Sequence, residues 1–328
     1  MVENQTLEYF TNQFSGDIDT LEKISEGENI IYSFMRDNVK CILRITGNYR
    51  RTLQQIKAET EWICFVNKNN GPAVKLVQTV DNELVKSHGE YFAFCYVMAE
   101  NKFPIFHEFD EQFYKRYGGA AGKLNQLAKV YKPIHEIRHD WENDDDLLDC
   151  LAFDGDDKII ANRCKEIIDR LRKIKKTSDN FGLIHADLHS WNLGLHKGEI
   201  QIFDFDDSQY DFYVREIAVI LFYYCWHPNY IDSILAHNPN DIEKPVRFLK
   251  AVIEGYEAEA FLDRTMLVHI QDYLKFQRII LYKILKKDED EGEDMGKWYD
   301  VMIKWRKEII EDENYLNIDF ENVVTVID

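Results

Sequence analysis

The chain changes its hydrophobic periodicity about one third of the way along, and this change limits the folds that it can adopt. Between Ile24 and Met98, short runs rich in β-branched and aromatic residues are bounded by Gly, Asn, Asp and Pro, as is typical of strands. Within this region, Leu53 to Asn67 repeats apolar residues at helical spacing. The predicted strands are 30–34, 39–45, 73–77 and 91–98. We therefore predict a small antiparallel sheet with one inserted helix.

Beyond residue 110 the pattern becomes mainly helical. The predicted helices are 119–131, 157–175, 214–226, 241–261, 264–286 and 295–312, and the predicted strands are 182–184, 193–195 and 200–205. A β-rich part followed by a helical part predicts an α+β protein of two lobes. We expect an N-terminal lobe over 1–98, a hinge over 99–106 and a helical C-terminal lobe over 107–328. The acidic run 287–294 is predicted to be a solvated loop.

The charge balance excludes one broad class of partner. The 328 residues include 59 acidic and 40 basic side chains, which gives a formal net charge of −19. Such a chain is repelled by phosphate backbones, so we expect no nucleic-acid partner. The excess of acid suits an amine-bearing partner but does not identify one.

Hydrophobic runs and cysteines suggest where the protein works. No stretch of about 18 uninterrupted apolar residues is present, so we expect no membrane span. The opening decapeptide MVENQTLEYF is acidic and polar, unlike an export signal. The six cysteines form no Cys-x-x-Cys pair. Together these features predict a cytoplasmic protein with reduced thiols; they leave the oligomeric state open.

Two polar clusters, each preceded by apolar residues, carry the chemistry that the sequence reveals. They lie in Gly182–Asn192 and Ile200–Asp207, so each should follow the end of a short buried strand. Phosphoryl transfer needs Mg²⁺ on hard oxygen ligands and a carboxylate directed at the attacking hydroxyl. Asp187, Asn192 and Asp204 supply these groups. The spacing His-x-Asp-x-x-x-x-Asn equals that of a kinase catalytic loop, and Asp204 begins a segment like its Asp-Phe-Gly motif.

The two segments resemble the aminoglycoside phosphotransferase and choline kinase family, which includes homoserine-kinase-like members. The resemblance implies a bilobal protein-kinase-like fold with a small antiparallel N-lobe and a larger, mainly helical C-lobe. It also implies ATP or GTP as the phosphate donor, Mg²⁺ as cofactor and a small-molecule hydroxyl as acceptor. In this interpretation Asp187 is the catalytic base, Asn192 and Asp204 are Mg²⁺ ligands, and His185 organises the loop. A helix cap or turn is the alternative role for Asp187 and Asn192.

The first lobe offers candidate nucleotide-binding residues. Gly27 and Asn29 lie where the family has a shortened phosphate-covering loop, although an ordinary turn explains them equally well. Arg44 stands at the position of the kinase lysine. Glu59 lies on the apolar face of the predicted helix, whereas Glu61 points roughly 200° around from it. We therefore predict an Arg44–Glu59 ion pair directed at the phosphates; an exposed pair of charges is the alternative.

Other assignments depend on the resemblance alone. Met98 and Glu100 would lie in the hinge, whose backbone meets the adenine edge. Asp206 or Asp207 would either hold a second Mg²⁺ or organise the turn, and the sequence does not choose between these roles. Glu216 stands where the family has an aspartate, so we expect it to take the same structural part.

Three alternative functions compete with a small-molecule kinase. His135, Glu136 and His139 match the His-Glu-x-x-His pattern of zinc proteases, although no convincing third ligand follows. A catalytically silent kinase-like binding protein and a protein kinase are the others.

The acceptor itself stays open among aminoglycosides, amino alcohols, amino acids and sugars. The aromatic run 222–226 could form a cage for a cationic substrate, but packing in the core is favoured. Arg278 could bind a substrate carboxylate, but a bracing role is slightly favoured.

Overall fold

The computed structural model describes residues 2–99, 110–135, 138–227 and 229–323. Its strands are β1 Asp17–Glu26, β2 Ile30–Arg36, β3 Val39–Gly47, β4 Leu76–Val77, β5 Val85–His88, β6 Tyr91–Val97, β7 Phe181–Ile184, β8 Leu193–His196, β9 Glu199–Ile202 and β10 Gln209–Phe212. Its α-helices are α1 Asn4–Gln13, α2 Leu53–Lys68, α3 Glu111–Ala128, α4 Asp145–Leu151, α5 Lys158–Leu171, α6 Val214–Tyr224, α7 Ile231–Leu235, α8 Glu243–Glu259, α9 Ile270–Asp290 and α10 Lys297–Ile310. The predicted α+β class is confirmed.

The chain folds into two compact units that do not follow a single cut in the sequence. The first unit comprises Met1–Lys102, Val130–Arg138 and Leu193–Ser208. The second comprises Phe103–Lys129, His139–Asn192 and Gln209–Asp328. The first unit thus takes two short segments from the part of the sequence that otherwise builds the second.

The first unit is built on a six-stranded antiparallel sheet in the order β1-β2-β3-β6-β4, with β5 also paired to β6. Alternation along β3 divides its side chains between two apolar clusters, as the period of a strand requires. Leu43 and Ile45 join Phe10 of α1 in one cluster. Ile42 joins Ile56 of α2 in the other. The two faces of β3 therefore pack into separate clusters.

Several elements of this unit differ from the prediction. The strand predicted over 73–77 forms only at Leu76–Val77, with an isolated bridge from Ala73 to Ile202. Helix α1 and strands β1 and β5 were not predicted. Strand β1 is mostly exposed along its length, so it lacks the apolar alternation by which a half-buried strand is recognised.

The second unit is mainly helical and contains a close packing of α3 against α8. A Cβ added to Gly118 would lie 1.9 Å from the carbonyl oxygen of Val252, and one on Gly255 would lie 1.8 Å from that of Lys115. Glycine is therefore required where the two backbones meet. The prediction began this helix at residue 119, whereas α3 begins at Glu111, because two adjacent glycines favour a helix end when only propensity is considered.

Two further boundaries needed correction. The helix predicted over 264–286 consists of a 3₁₀ helix at Arg264–His269 followed by α9. The acidic run predicted as a loop is partly helical, because α9 continues to Asp290. Only its second half lies beyond the helix. Within the described ranges, no helix is long and apolar enough to cross a membrane.

The glycines of α3 allow a direct test of this packing. We expect Gly118→Ala to lower the free energy of unfolding by about 1–3 kcal/mol, because the new methyl group meets backbone that cannot rotate away. Gly119→Ala is the matched control. Its added Cβ would make an ordinary contact at 3.4 Å with the carbonyl oxygen of Gly255, so higher helix propensity should raise stability by about 0.5–1 kcal/mol. Urea denaturation of both variants measures the difference, and equal effects would contradict the packing argument.

Candidate active site

A buried ion pair joins strand β3 to helix α2 in the first unit. Arg44 Nη1 lies 2.6 Å from Glu59 Oε1, and both side chains are almost completely buried. The predicted Arg44–Glu59 pair is therefore present, and the exposed alternative is wrong. The guanidinium also lies over the ring of Phe94, 5.2 Å from its centroid.

Burial and neighbouring charges act in opposite directions on this pair. Burial disfavours the charge of Arg44, but the carboxylates of Glu59, Asp206 and Asp204 raise its pKa above the usual value. Burial raises the pKa of Glu59 to about 7, although Arg44 favours the ionised form. The second oxygen of Glu59 has no hydrogen-bond partner among the described residues, which accounts for the direction of this shift.

Asp204 follows β9 in a conformation that few residues adopt. Its φ is +61°, in the left-handed region, where a residue other than glycine is held at a cost of about 1–3 kcal/mol. Its side chain is 46% exposed, and Oδ1 lies 3.3 Å from Arg44 Nη1. Hard divalent metal ions bind accessible carboxylate oxygens. The exposed side chain of Asp204 therefore fits the metal-binding role that the resemblance implies.

Asp206, two residues further on, has a different environment. Its side chain is only 4% exposed, and its oxygens accept hydrogen bonds or ion pairs from Arg44, Arg50 and Arg51. Burial opposes ionisation, but the three guanidinium groups hold the pKa of this carboxyl far below its usual range. Of the two roles left open by the sequence, this geometry favours organising the turn. Asp207 remains half-exposed, with Arg51 at 3.3 Å.

The histidine motif that suggested zinc has other partners. Glu61 accepts hydrogen bonds from the backbone amides of Ile134 and His135 and lies 2.5 Å from the His135 ring. His139 contacts the side chain of Gln209 at 2.9 Å. The middle residue of the motif, Glu136, lies outside the described residues. Among those that are described, no group of three or more His, Cys, Asp or Glu side chains could hold a metal.

Arg138, in the same segment, anchors the turn that carries Asp206. It donates to the backbone oxygens of Asp206 and Ser208, the latter at 2.6 Å. It also reaches the backbone oxygen of Gln55 in α2 at 3.4 Å. The segment therefore connects helix α2 to the turn after β9 within the first unit.

The second unit contains the predicted catalytic carboxylate. Asn192 donates its amide nitrogen to the backbone oxygen of Asp187 at 2.9 Å and to Oδ2 at 3.0 Å. His189 Nε2 lies 3.2 Å from the same Oδ2. Burial would raise the pKa of Asp187, but His189, His185 and the Asn192 amide lower it below the usual value. Asp187 Oδ1 has no hydrogen-bond partner in the described part of the chain, so it can accept one from a hydroxyl.

Glu216 of α6 holds the loop around Asp187 through hydrogen bonds to the loop backbone. Glu216 is fully buried and accepts hydrogen bonds from the backbone amides of His185 and Ala186. His185 is also buried, and its Nδ1 lies 3.3 Å from the amide nitrogen of Asp187. Ala186 has a φ of +70°, so the backbone is strained directly before Asp187. His185 and Glu216 thus both contact the backbone of this loop, and the roles expected for them stay predictions.

The remaining nucleotide-binding candidates lie in the first unit. Gly27 and Asn29 form the turn between β1 and β2, where Asn29 Oδ1 accepts a hydrogen bond from the hydroxyl of Thr46 at 2.6 Å. Met98 follows β6, and its backbone amide donates to the oxygen of Lys40 at 3.0 Å. Glu100 and most of the predicted hinge lie outside the described residues.

Aromatic side chains cluster beside the loop that carries Asp187 in the second unit. We call Trp191, Tyr223, Trp226, His227, Tyr230 and Trp298 the aromatic patch. Trp191 stands at its centre, stacked on His227 with ring centroids 5.5 Å apart and edge-to-face with Tyr230 at 5.0 Å. Trp226 is buried, as predicted for the run 222–226, whereas Tyr230 is 40% exposed.

A cavity of about 670 Å³ lies next to this patch. His227 belongs to both, and the cavity wall includes the acidic residues Asp241 and Glu243 against one basic residue, Lys244. This volume is within the range of small-molecule sites. Arg278 takes no part in it: the guanidinium is buried, contacts Glu308 at 2.9 Å and donates to the backbone of Glu313 at 2.6 Å. Arg278 therefore joins α9 to α10 and to the segment that follows α10.

Sequence reasoning missed His189, Trp191 and the arginines 50, 51 and 138. Arg50 and Arg51 stand directly before Thr52, the N-cap residue of α2. This position next to a helix start is the one local signal that could have indicated them. Nothing in the spacing of Arg138 indicates its contact with a turn some 70 residues later in the chain.

A sheet-based unit with a buried Arg–Glu pair, and a helical unit with a His-x-Asp loop, define a protein of the kinase-like fold class. The family described as "Phosphotransferase enzyme family" matches residues 26–249. The chain belongs to this family. It is an ATP-dependent kinase of small molecules, and the silent scaffold, the protein kinase and the zinc protease are set aside.

The chain is similar to individual relatives along most of its length. An amicoumacin kinase of Bacillus subtilis (strain 168) is 25% identical over 290 residues, which cover 86% of this chain and 84% of the relative. A solved amicoumacin kinase in complex with AMP-PNP, Ca²⁺ and Ami superposes with a TM-score of 0.90 at 23% identity, covering 98% of this chain and 97% of the other. A microcompartment-associated aminopropanol kinase gives a TM-score of 0.69 at 14% identity, with 94% and 95% covered.

Glu216 should make the stability of the protein depend on pH. Burial raises its pKa to about 7, and Oε2 has no hydrogen-bond partner within the described ranges. Because the native state then binds the proton more tightly than the unfolded state, stability falls as pH rises from about 4.5 to 7. Glu216→Gln keeps an acceptor but cannot ionise. We expect its stability relative to wild type to increase with pH, by a total on the order of 3 kcal/mol.

Chemical denaturation at intervals from pH 5 to pH 8 measures this difference, because all other titrating groups cancel between the two proteins. A difference that does not change with pH would contradict the raised pKa of Glu216.

Proposed function

We propose that this enzyme transfers the γ-phosphate of ATP to a hydroxyl of an amine-bearing small molecule that stacks on Trp191. The observation that carries the proposal is the aromatic patch, whose central residue lies four positions after Asp187 in the same loop. The acidic wall of the neighbouring cavity favours a cationic acceptor. Amicoumacin, the acceptor in the name of the Bacillus subtilis relative, is the first compound to test.

The residues divide into three proposed roles. Asp187 orients the acceptor hydroxyl through Oδ1 and takes its proton, while His189 and Asn192 hold the carboxylate through Oδ2. Asp204 and the amide oxygen of Asn192 are each proposed to bind Mg²⁺, which would supply positive charge for the phosphates of the donor. The amide nitrogen of Asn192 is already used on Asp187, which leaves its oxygen for a metal.

Nucleotide binding is proposed for residues of the first unit. Arg44, fixed by Glu59, provides a permanent positive charge for the phosphates. The turn containing Gly27 and Asn29 would approach the phosphates through its backbone. A Cβ added to Gly27 would meet no described atom within 4 Å, so packing within the protein does not require glycine there, whereas close approach of a ligand would. Met98 and Glu100 are proposed to bind the adenine edge through their backbone. Because the Met98 amide already donates to Lys40, this part would fall to the Met98 carbonyl group.

Removal of the proposed base should separate chemistry from binding. We expect Asp187→Ala to lower kcat by about 10²–10⁴-fold, with the dissociation constant for ATP changed little, because the carboxylate acts on the acceptor. Transfer of ³²P from labelled ATP and calorimetric nucleotide titration measure the two quantities. Asp300→Ala, an exposed aspartate of α10, is the control and should behave as wild type. Full turnover by Asp187→Ala would refute the assignment of the base.

Substitution of Trp191 should act on the acceptor alone. We expect Trp191→Ala to raise the KM for amicoumacin on the order of tenfold, without a matching change in the KM for ATP, because a flat stacking surface is lost. Trp191→Phe should restore most of the affinity. Tyr299→Ala removes a half-exposed aromatic ring on α10 outside the patch and is the matched control.

A screen of amicoumacin, spectinomycin, 1-amino-2-propanol and free sugars identifies the acceptor class. Efficient turnover of a neutral sugar, together with an unchanged acceptor KM in Trp191→Ala, would contradict the proposed acceptor.

A further inference from the structure

The carboxylate of Asp206 is saturated by guanidinium groups of the first unit. Oδ1 lies 3.0 Å from Arg44 Nη2 and 3.0 Å from Arg51 Nε. Oδ2 lies 2.7 Å from Arg50 Nη2 and 3.2 Å from Arg50 Nε. The two oxygens thus accept three hydrogen bonds and make one further ion-pair contact, which together approach the four acceptor sites of a carboxylate. A metal ion could bind Asp206 only after displacing arginines.

The neighbouring Asp204 shows the opposite character. Its side chain is 46% exposed, against 4% for Asp206. A divalent cation keeps several water molecules or phosphate oxygens in its coordination shell, so it needs an accessible carboxylate. The turn therefore offers one carboxylate to a metal and gives the other to arginines.

Arg50 and Arg51 are held in place from both sides. Their backbone amides donate to the oxygen of Gly47 at 3.0 and 3.3 Å, and the capping box of Thr52 begins helix α2 directly after them. Arg50 also binds Glu28, which lies in the β1–β2 turn between the phosphate-loop candidates. Backbone and side-chain contacts within the first unit thus hold both arginines.

Both arginines have N–H donors that bind no carboxylate of the described residues. A guanidinium has five N–H donors, and these two side chains use only Nε and Nη2. In the part of the chain that the structure describes, neither Nη1 group has a hydrogen-bond partner. The side chains are 18% exposed, so an anion can reach them. Guanidinium groups of this kind bind phosphate oxygens strongly and with defined geometry.

We propose that Asp206 holds no metal and instead positions Arg50 and Arg51 to bind the phosphates of the nucleotide. The two arginines supply positive charge that a second metal ion would otherwise provide. Asp206 is a positioning residue in this arrangement, while Arg50 and Arg51 contact the donor. The inference rests on the proposed function, because it requires a nucleotide in the first unit.

Nucleotide binding without metal tests the arginines directly. Titration with a fluorescent ADP derivative in EDTA should show about tenfold weaker binding for Arg50→Ala and for Arg51→Ala than for wild type. Arg50→Lys and Arg51→Lys retain the charge without the planar fork, so they should recover only part of the affinity. Arg247→Ala is the matched control, since that side chain is 78% exposed and makes one ion pair, with Glu111 at 3.4 Å. Wild-type affinity in both alanine variants would overturn the proposal.

Asp206→Asn distinguishes a positioning role from a metal-binding one. If Asp206 aligns the arginines, this variant loses affinity for ADP in EDTA as well as in Mn²⁺, by a similar factor. If Asp206 binds a metal, affinity in EDTA is unchanged and only binding in Mn²⁺ weakens, which would overturn the proposal. Should Asp206→Asn fail to fold, the two lysine variants in EDTA decide the question alone.

Counting bound metal gives an independent measurement. Mn²⁺ titration followed by electron paramagnetic resonance, with a saturating non-hydrolysable ATP analogue, should yield one ion per wild-type protein. Two ions in wild type and one in Asp206→Asn would overturn the proposal. A wild-type protein that binds no nucleotide under any condition would refute the proposed function itself, whereas intact wild-type binding with unaffected arginine variants would refute only this inference.

Discussion

A guanidinium group that cannot lose its charge is buried in the sheet-based unit, and much of that unit is organised around it. Arg44 is only 2% exposed, so carboxylates must compensate its charge where water cannot. Glu59 on α2, and Asp204 and Asp206 after β9, provide this compensation. Each of them comes from a different element or turn than Arg44 itself. The buried cation thereby fixes the helix and the turn relative to strand β3.

The same requirement explains why residues far apart in the chain have related tasks. Arg50 and Arg51 bind Asp206 from the segment before α2, and Arg138 holds the backbone of the same turn. In the helical unit, Glu216 plays the comparable part for the loop that carries Asp187, through backbone amides instead of charges. The loop of Asp187 and the turn of Asp206 each include a residue with a left-handed backbone, Ala186 in one and Asp204 in the other. Such strain persists only where surrounding contacts over-determine the conformation.

Much of the fold could be predicted from local patterns. The strand pattern of β3, the helical spacing of α2 and the apolar residues before Asp187 and Asp204 each depend on neighbours in the sequence. The corresponding strands and helix were correctly predicted. The start of α3 was missed because Gly118 and Gly119 are poor helix formers by propensity. Close contact with α8 overrides that preference, and no local pattern records such a contact. Strand β1 was missed because it is exposed along most of its length.

The sequence by itself determined the order and spacing of His185, Asp187, Asn192 and Asp204. Through strand and helix periodicity it also determined the pairing of Arg44 with Glu59. Only the tertiary structure decided which of two neighbouring aspartates is open to a ligand. Asp204 and Asp206 are the same residue type two positions apart, and their exposures of 46% and 4% arise from arginines that approach from other parts of the chain. The physical reason is that accessibility depends on neighbours in space, which periodicity along the chain does not specify.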